Sequence, residues 1–296
     1  MDILVLGGAG QVGTELQAHA WPEGVRVHAP TRDALDITEP AAIEAALDGR
    51  AYAAVINTAA YTAVDKAESD VAAAWRLNAL APAILAAATK ARGIPLVHVS
   101  TDYVFAGTKP EGAYGPDEPV DPRSVYGASK AAGEIAVRTG NPRHAILRTA
   151  WVVSPHRGNF VKTMLRLAAE RDRLTVVDDQ HGCPTSATDL AAALATVALR
   201  MAEDPTAPTG TFHCVNDGST TWCGFARAIV AGGARRGGRD VPVEGIPTAA
   251  YPTPARRPSN SRLSTDSLRE AYGILPRPWQ DALDDILDKL AGPVRA

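Results

Sequence analysis

A glycine-rich turn between a short apolar run and a helical stretch is the feature of this sequence that most limits its fold. The chain opens with MDILVLGGAGQVGTEL, in which ILVL at 3–6 is typical of a buried strand and Gly7, Gly10 and Gly13 follow at three-residue intervals. Glycines let the backbone turn sharply and let its N–H groups approach a pyrophosphate at a helix N-terminus. Because the turn follows the first strand and opens the first helix, it favours a dinucleotide-binding βαβ unit over a simple packing turn.

The first half of the chain continues this alternation of strand and helix. Further apolar runs, VRVHAP, YAAVIN, IPLVHVS and HAILRTA, occur at 25–30, 52–57, 94–100 and 144–150, and a long alanine-rich helix is predicted over roughly 68–91. This pattern predicts an α/β fold, a Rossmann-type doubly wound parallel sheet with helices on both faces. Binding sites in such sheets lie beyond the carboxyl ends of the strands.

The alternation changes after about Trp151, which suggests a division of the chain. We predict a dinucleotide-binding domain over 1–150, completed by returning segments from the C-terminal half, and a smaller, mainly substrate-binding part over 151–296. Helices are predicted at NFVKTMLRLAAE, ATDLAAALATVALRM and PWQDALDDILDKLAG, and the proline- and arginine-rich segment 245–263 is expected to be irregular.

Composition and charge narrow the class of protein. The formal net charge is −3, so no general attraction to nucleic acid or to an anionic membrane is expected. No run of 18 apolar residues occurs, so no transmembrane helix is expected, and the first apolar run is too short for a signal peptide. Cys183, Cys214 and Cys223 are not at zinc-ligand spacing and are expected to be buried free thiols, as in a cytoplasmic protein.

The residue after the second strand bears on cofactor choice. Sites that favour NAD usually carry an acidic residue there, whereas VHAPTRDALDIT has Thr31 and Arg32. Arg32 fits a contact to the 2′-phosphate of NADP, and it also fits a solvated loop; both readings stay open. We therefore predict that NADPH is used at least as well as NADH. The expected cofactor contacts are Gly7, Gly10, Gln11, Val12, Gly13, Arg32, Asp36, Ile37, Ala59, Ala60, Tyr61, Val99, Tyr126 and Lys130.

The stretch YGASK places Tyr126 and Lys130 one helical turn apart on one face. The unperturbed tyrosine pKa, about 10, is too high for efficient acid–base work at neutral pH, and a neighbouring lysine ammonium is expected to lower it. Thr101, at the end of the fourth predicted strand in HVSTDYVF, would donate a hydrogen bond to a substrate oxygen as charge develops there. Y-x-x-x-K alone is a common chance match, but together with the glycine turn it predicts a carbonyl reductase with Thr101, Tyr126 and Lys130 as catalytic residues.

Motifs spread over nearly the whole chain resemble the dTDP-4-dehydrorhamnose reductase family of the extended short-chain dehydrogenase/reductase superfamily. They are GGAGQVGTEL, NTAAYTAVDKAE, VHVSTDYVFAG, SVYGASKAAGE, RTAWV, DDQHGCPTSATDLA and ARRPSNSRL. The resemblance implies that NADPH or NADH delivers hydride to C4 of dTDP-4-dehydro-6-deoxy-L-mannose, giving dTDP-L-rhamnose. It also implies a set of substrate contacts, in which we expect Asn159 and Arg257 to meet the diphosphate: Val64, Thr101, Asp102, Tyr103, Trp151, Asn159 and Arg257.

Two other functions stay open at this point. A related reductase could act on another dTDP-4-keto sugar, such as a precursor of a streptose-type antibiotic sugar. A non-catalytic, nucleotide-binding regulatory subunit is the reading from a different class, and the intact Thr101, Tyr126 and Lys130 argue against it.

Metal binding and partners follow from the same resemblance. Some family members bind Mg²⁺ through glutamates at a dimer interface, and Glu15 matches one such position. Thr188 and Asp189 stand where another glutamate is expected, and the last helix offers aspartates instead, at Asp281, Asp284 and Asp285. We therefore predict no metal site, regard Mg²⁺ as doubtful, and leave a homodimer open. The expected partner is a small dTDP-sugar, with no nucleic acid and no membrane.

Overall fold

Strands and helices alternate through the first half of the computed structural model, which describes residues 1–292. The strands are β1 (Asp2–Leu6), β2 (Arg26–His28), β3 (Tyr52–Asn57), β4 (Leu96–Thr101), β5 (His144–Thr149), β6 (Val152–Val153), β7 (Leu174–Val177), β8 (His181–Gly182), β9 (Thr185–Ser186), β10 (Gly210–His213), β11 (Thr220–Thr221), β12 (Val243–Ile246) and β13 (Asn260–Ser261). The α-helices are α1 (Gln11–Ala18), α2 (Pro40–Asp48), α3 (Val64–Ala67), α4 (Val71–Trp75), α5 (Ala81–Ala91), α6 (Val125–Gly140), α7 (Phe160–Glu170), α8 (Ala187–Glu203), α9 (Trp222–Ala234), α10 (Asp266–Tyr272) and α11 (Trp279–Ala291).

The main sheet has six parallel strands in the order β10–β5–β4–β3–β1–β2. The chain changes direction across the sheet between β1 and β3, which opens a crevice at the carboxyl ends of these strands. The predicted doubly wound α/β fold is confirmed, and the crevice lies next to the glycine turn.

Alternating side chains along the strands bury both faces of the sheet. Ile3 and Val5 of β1 pack in one core cluster with Leu190 of α8, whereas Leu4 packs in another with Ile43 of α2. Successive side chains of a strand point to opposite faces, so the unbroken run ILVL fits a strand that is covered on both sides. β10 and α8 come from beyond residue 150 and complete this layered structure.

A second hydrophobic core lies within the C-terminal half. It combines apolar side chains of α7, α9 and α11 with those of β7, for example Val161, Phe225, Leu287 and Leu174. The predicted helices at 159–170, 187–201 and 278–292 correspond to α7, α8 and α11. The three cysteines are free and buried, as predicted.

The alanine-rich stretch forms a helical segment, Val71–Ala91, with a π-helical turn at Arg76–Leu80. Pro82 has no N–H to donate to the carbonyl of Asn78, four residues earlier, which is a common cause of such a local change. That carbonyl oxygen lies 2.1 Å from where a Cβ on Gly133 would be, so α6 can approach closely only because Gly133 has no side chain. Length and composition alone would let Val71–Ala91 cross a membrane, and in this fold the segment packs against α6 and α2.

Candidate active site

A cleft of about 820 Å³ lies at the carboxyl edge of the main sheet and is lined by residues from both halves of the chain. The predicted site residues on its wall are Gly7, Gly10, Gln11, Val12, Arg32, Asp36, Ile37, Ala59, Ala60, Val64, Val99, Thr101, Asp102, Tyr103, Tyr126, Lys130, Trp151 and Asn159. Gly13, Tyr61 and Arg257 are not on this wall. The structure therefore brings almost all of the predicted residues together, although they are up to 152 positions apart in the chain.

The glycine turn has the geometry of an anion cradle. Gly7 has a φ of +84°, and a Cβ there would lie 2.7 Å from the backbone nitrogen of Ala59. Gly10 precedes α1 without a side-chain capping hydrogen bond, so the first N–H groups of the helix have no side-chain acceptor. Such N–H groups bind a pyrophosphate well, and the turn thus fits a dinucleotide. A Cβ on Gly13 would lie 2.3 Å from the carbonyl oxygen of Gly7, so Gly13 serves helix packing instead.

Arg32 lies on the cleft wall with its side chain 79% exposed, and its Nε is 3.6 Å from Oδ2 of Asp36. The backbone N–H and hydroxyl of Thr38 both donate to Asp36, and these bonds hold the pKa of Asp36 below its usual value. Tyr61 lies elsewhere because its hydroxyl donates to Asp70, at 2.9 Å. Arg32 is therefore accessible to a phosphate, whereas Tyr61 ties the loop after β3 to the neighbouring helix.

Tyr126 and Lys130 are buried side by side on α6, as their spacing predicts. Ser124 caps the start of this helix, because its hydroxyl accepts a hydrogen bond from the backbone N–H of Gly127 at 3.1 Å. A Cβ on Gly127 would lie 2.2 Å from the carbonyl oxygen of Tyr103, so α6 packs directly against the 3₁₀ turn that follows Thr101. This close packing brings Thr101 to the two α6 residues.

The pKa of Tyr126 is raised, contrary to the expected effect of Lys130. Burial is the main cause, the charge of Asp102 adds to it, and only the interaction with the Thr101 side chain opposes it. Lys130 Nζ is directed elsewhere: it donates to the carbonyl oxygen of Val99 at 2.7 Å, and burial lowers the pKa of Lys130 to about 8. The phenol of Tyr126 is therefore protonated at neutral pH, which is the state that a proton donor needs.

Thr101 is tied to a buried carboxylate. Its hydroxyl donates to Oδ1 of Asp102 at 2.9 Å, and the hydroxyl of Ser261 donates to Oδ2 at 2.5 Å. Burial raises the pKa of Asp102 to about 6 despite these two hydrogen bonds. A ketone in the cleft would therefore compete with Asp102 for the hydroxyl proton of Thr101.

The basic segment ARRPSNSRL supports the cleft from outside its wall. Nη1 of Arg257 donates to the hydroxyl of Tyr103 at 2.9 Å, and Nη2 donates to Oδ2 of Asp65 at 2.6 Å. Asn260 donates to the carbonyl oxygens of Lys109 and Gly112, both at 3.0 Å. Arg257, expected at the diphosphate, is thus occupied by Asp65 and Tyr103, a pairing between residues far apart in sequence that the motif itself does not indicate.

Two stacked aromatic side chains also line the cleft. The ring of Trp151 stacks on that of Trp222, with centroids 3.6 Å apart, and a Cβ on Gly182 would lie 2.4 Å from the Trp151 ring. Trp151 has a φ of +50°, an unusual value for a bulky residue, so its position depends on this packing. Sequence reasoning missed Trp222, because nothing in TTWCG indicates a stacking partner 71 positions away.

One residue of the cleft wall and two buried residues of the sheet were also missed. Arg157 lies on the wall, and its Nε donates to the carbonyl oxygen of Ala9 in the glycine turn at 2.7 Å. Asn57 and His98 are fully buried next to Lys130, and His98 Nε2 is 3.4 Å from Lys130 Nζ. The last two carry a signal that sequence reasoning did not use, since each is a polar residue inside an apolar strand.

The candidate Mg²⁺ residues lie in separate environments. Glu15 is 5% exposed, and its Oε1 lies 3.2 Å from Nε2 of His156. Asp189 and Asp285 both pair with Arg277. Across residues 1–292, no group of three or more histidine, cysteine or acidic side chains has a geometry suited to a metal ion.

Comparison with known proteins places the chain in one family. Residues 1–291 match the family model described as the RmlD substrate binding domain. The dTDP-4-dehydrorhamnose reductase of Sinorhizobium fredii is 42% identical, covering 95% of both chains, and that of Burkholderia thailandensis is 44% identical, covering 96% of this chain and 97% of its own.

Solved structures give the same result. A dTDP-4-dehydrorhamnose reductase from Clostridium acetobutylicum superposes with a TM-score of 0.91 at 38% identity, covering 98% of this chain and 99% of its own. The enzyme of that name from Bacillus anthracis, solved in complex with NADP, has a TM-score of 0.89 at 34% identity and covers 97% and 99%. With its sheet order, its cleft and its relatives in agreement, the chain belongs to the dTDP-4-dehydrorhamnose reductase family.

Proposed function

We propose that this protein catalyses the NAD(P)H-dependent reduction of the C4 ketone of dTDP-4-dehydro-6-deoxy-L-mannose to give dTDP-L-rhamnose. The observation that carries the proposal is the presence of the glycine turn and of Thr101, Tyr126 and Lys130 on one cleft wall. A dinucleotide site beside a buried proton donor is what the reduction of a carbonyl by a nicotinamide requires.

The chain supplies binding, a proton and polarisation, and the nicotinamide, when bound, supplies the hydride. We assign the pyrophosphate to Gly7, Gly10 and the first N–H groups of α1. Tyr126 donates its proton to the ketone oxygen, because burial keeps the phenol protonated at neutral pH. Thr101 turns its hydroxyl from Asp102 to that oxygen, and Lys130 holds the ribose beside Tyr126.

The substrate roles follow from positions on the wall. We assign the sugar to Val64, Asp102, Tyr103 and Trp151. The amide of Asn159 donates to Gln11 Oε1 at 3.0 Å and to Ser154 O at 2.7 Å, so it shapes the diphosphate end and contacts the diphosphate only if these bonds open. These assignments explain why residues of both halves converge on one cleft.

The surroundings of the enzyme are part of the proposal. We place it in the cytoplasm, acting on a small dissolved dTDP-sugar without a nucleic-acid or membrane partner. The free, buried state of the three cysteines supports a reducing compartment. The use of NADPH at least as well as NADH is supported by the exposed Arg32 on the cleft wall.

A turnover assay tests the function. Purified protein is mixed with dTDP-4-dehydrorhamnose generated in situ, and oxidation of NADPH or NADH is followed by the loss of reduced-nicotinamide absorbance, with and without EDTA. We expect turnover with dTDP-L-rhamnose as product, NADPH at least as effective as NADH, and no effect of EDTA. Cofactor binding without turnover on any nucleotide-linked keto sugar would leave only the regulatory-subunit reading, and turnover on a streptose-type precursor alone would favour the sibling reductase.

A further inference from the structure

Lys130 is held at its amine end by a chain of buried polar groups that begins on a different strand. The backbone N–H of Ala59 donates to Oδ1 of Asn57 at 3.1 Å, and Nδ2 of Asn57 lies 3.1 Å from Nδ1 of His98. Nε2 of His98 lies 3.4 Å from Nζ of Lys130, which also donates to the carbonyl oxygen of Val99. Asn57 and His98 have no exposed surface, and Lys130 is 2% exposed.

The donors and acceptors in this chain fix the position of one proton. Because Oδ1 of Asn57 accepts from a backbone N–H, its Nδ2 group, which only donates, must face His98. Nδ1 of His98 is therefore the acceptor, and the proton of a neutral imidazole sits on Nε2. That N–H points at Lys130 Nζ, where an amine has a lone pair to accept it and an ammonium has none.

We propose that Asn57 and His98 are a positioning pair for Lys130: Asn57 holds His98 as the Nε2–H tautomer, and that N–H favours the amine form of Lys130 over the ammonium. The pair acts on the reaction through Lys130 and touches no substrate. The inference rests on the reductase function proposed above, for which Lys130 is a site residue. In this arrangement Lys130 is a group that titrates near the working pH, and it is not a permanent cation.

The other charged and titratable groups around Lys130 differ in their effect on its pKa. Glu134, one turn further along α6, raises the pKa of Lys130, but its carboxylate is paired with Arg148 of β5 at 2.8 and 2.7 Å. Tyr126 lies one turn before on α6, and His98 faces Lys130 from β4. Burial outweighs Glu134 and brings the pKa of Lys130 to about 8, while burial and the charge of Lys130 keep the pKa of His98 well below its usual value.

The first test is spectroscopic and needs no turnover. Histidine labelled with ¹⁵N in the wild-type protein should show His98 neutral, protonated on Nε2 and unprotonated on Nδ1, between about pH 6 and pH 8, where an ordinary histidine titrates. A proton on Nδ1, or an imidazolium in this range, would overturn the proposal. This result is independent of the turnover assay, so failure of the inference and failure of the proposed function can be told apart.

The second test uses Asn57→Asp to reverse the direction of the hydrogen bonds that run from residue 57 through His98 to Lys130. A carboxylate at position 57 accepts from Nδ1–H, which leaves the Nε2 lone pair free to accept from the Lys130 ammonium. If the ammonium is the active form, the activity falls as pH rises through its pKa of about 8. The alkaline limb of the kcat/KM profile should move up by about one pH unit in this variant. An unmoved limb in a variant whose His98 proton has moved to Nδ1 would contradict the proposal.

Two further variants separate the tautomer from other effects. In the double variant Asn57→Asp with His98→Leu, the new charge remains but the imidazole is gone, so most of the upward movement should disappear relative to His98→Leu alone. If it persists in full, the charge of the carboxylate explains it and the tautomer does not. Asn141→Asp is a matched control, since Asn141 is equally buried but lies before β5, at the other edge of the sheet, and should leave the limb in place.

Discussion

Two acidic groups of the active site, Tyr126 and Asp102, are buried within one small region, and burial raises the pKa of both. Removal from water disfavours the charged form of each group, so both hold their protons to a higher pH than they would in solution. For a reductase this is a suitable starting state, because the proton needed by the ketone oxygen is present at neutral pH. The charge that appears on Tyr126 after transfer must then be stabilised by Thr101, whose side chain is the group that favours the charged form of the phenol.

Tyr126→Phe tests this role at the scale of one residue. The ring keeps its edge-on packing against Tyr103, with centroids 5.4 Å apart in the wild type, but the proton is lost. We expect kcat to fall by about 10²- to 10⁴-fold, with little change in cofactor affinity, in steady-state kinetics and cofactor titrations. Tyr272→Phe is the control, since its hydroxyl donates to the carbonyl oxygen of Pro208 away from the cleft. Near-normal turnover in Tyr126→Phe would remove this residue from the mechanism.

At this scale, the sequence predicted residues whose chemistry is local and missed those whose partners are distant. Tyr126 and Lys130 share a helical face by spacing alone. No local pattern reveals the pairing of Arg257 with Asp65, which is 192 positions away. The direction of the Tyr126 pKa shift was also wrong, since burial depends on packing that a sequence does not display.

Among the elements, α1 and α6 determine the site because each makes a close contact through one of its own glycines, where there is no room for a side chain. The start of α1 lies against Gly7 through Gly13, and α6 lies against the 3₁₀ turn through Gly127. Strands and helices of this kind were predictable from apolar runs and caps. The π-helical turn and the return of β10 to the sheet were not located by those patterns, because Pro82 alone does not show how the helix adapts to it and the return depends on long-range pairing.

Two glycine variants separate helix packing from ligand binding at the start of α1. A Cβ on Gly13 would lie 2.3 Å from Gly7 O, whereas a Cβ on Gly10 would meet only Gly7 O at 3.2 Å. We expect Gly13→Ala to lower the free energy of unfolding by about 1–3 kcal/mol in denaturant titrations. Gly10→Ala should fold normally and raise the KM for the cofactor by about tenfold, as its methyl group enters the pyrophosphate cradle; a tenfold change corresponds to about 1.4 kcal/mol. Equal losses of stability would contradict this separation.

At the scale of the whole molecule, the two cores support the proposed division near residue 150, and their contacts define the cleft. The sheet core takes α8 and β10 from the second half, while the core around Phe225 is built entirely from it. Arg257 joins the halves by holding both Asp65 and Tyr103.

Paired variants test whether Arg257 supports Tyr103 or binds a diphosphate. If support is its role, Arg257→Ala and Asp65→Asn should each reduce kcat/KM for the sugar nucleotide by about three- to tenfold, and the double variant should be no worse than either. The reason is that either change releases the same contact to Tyr103. A large rise in KM with Arg257→Ala alone, together with unchanged kinetics in Asp65→Asn, would instead support the diphosphate role. Steady-state kinetics of the three variants decide between them.

The side chain of Gln11, at the start of α1, has a consequence that reaches across the molecule. Its Oε1 accepts hydrogen bonds from Ser154 at 2.8 Å and from Asn159 at 3.0 Å, so the proposed dinucleotide turn is tied to the proposed diphosphate end of the nucleotide-sugar site. We therefore expect a dinucleotide that displaces this amide to change the affinity for the nucleotide sugar, and thermodynamic reciprocity makes the factor identical in the opposite direction. Replacement of this one glutamine should therefore change how strongly each ligand favours the binding of the other.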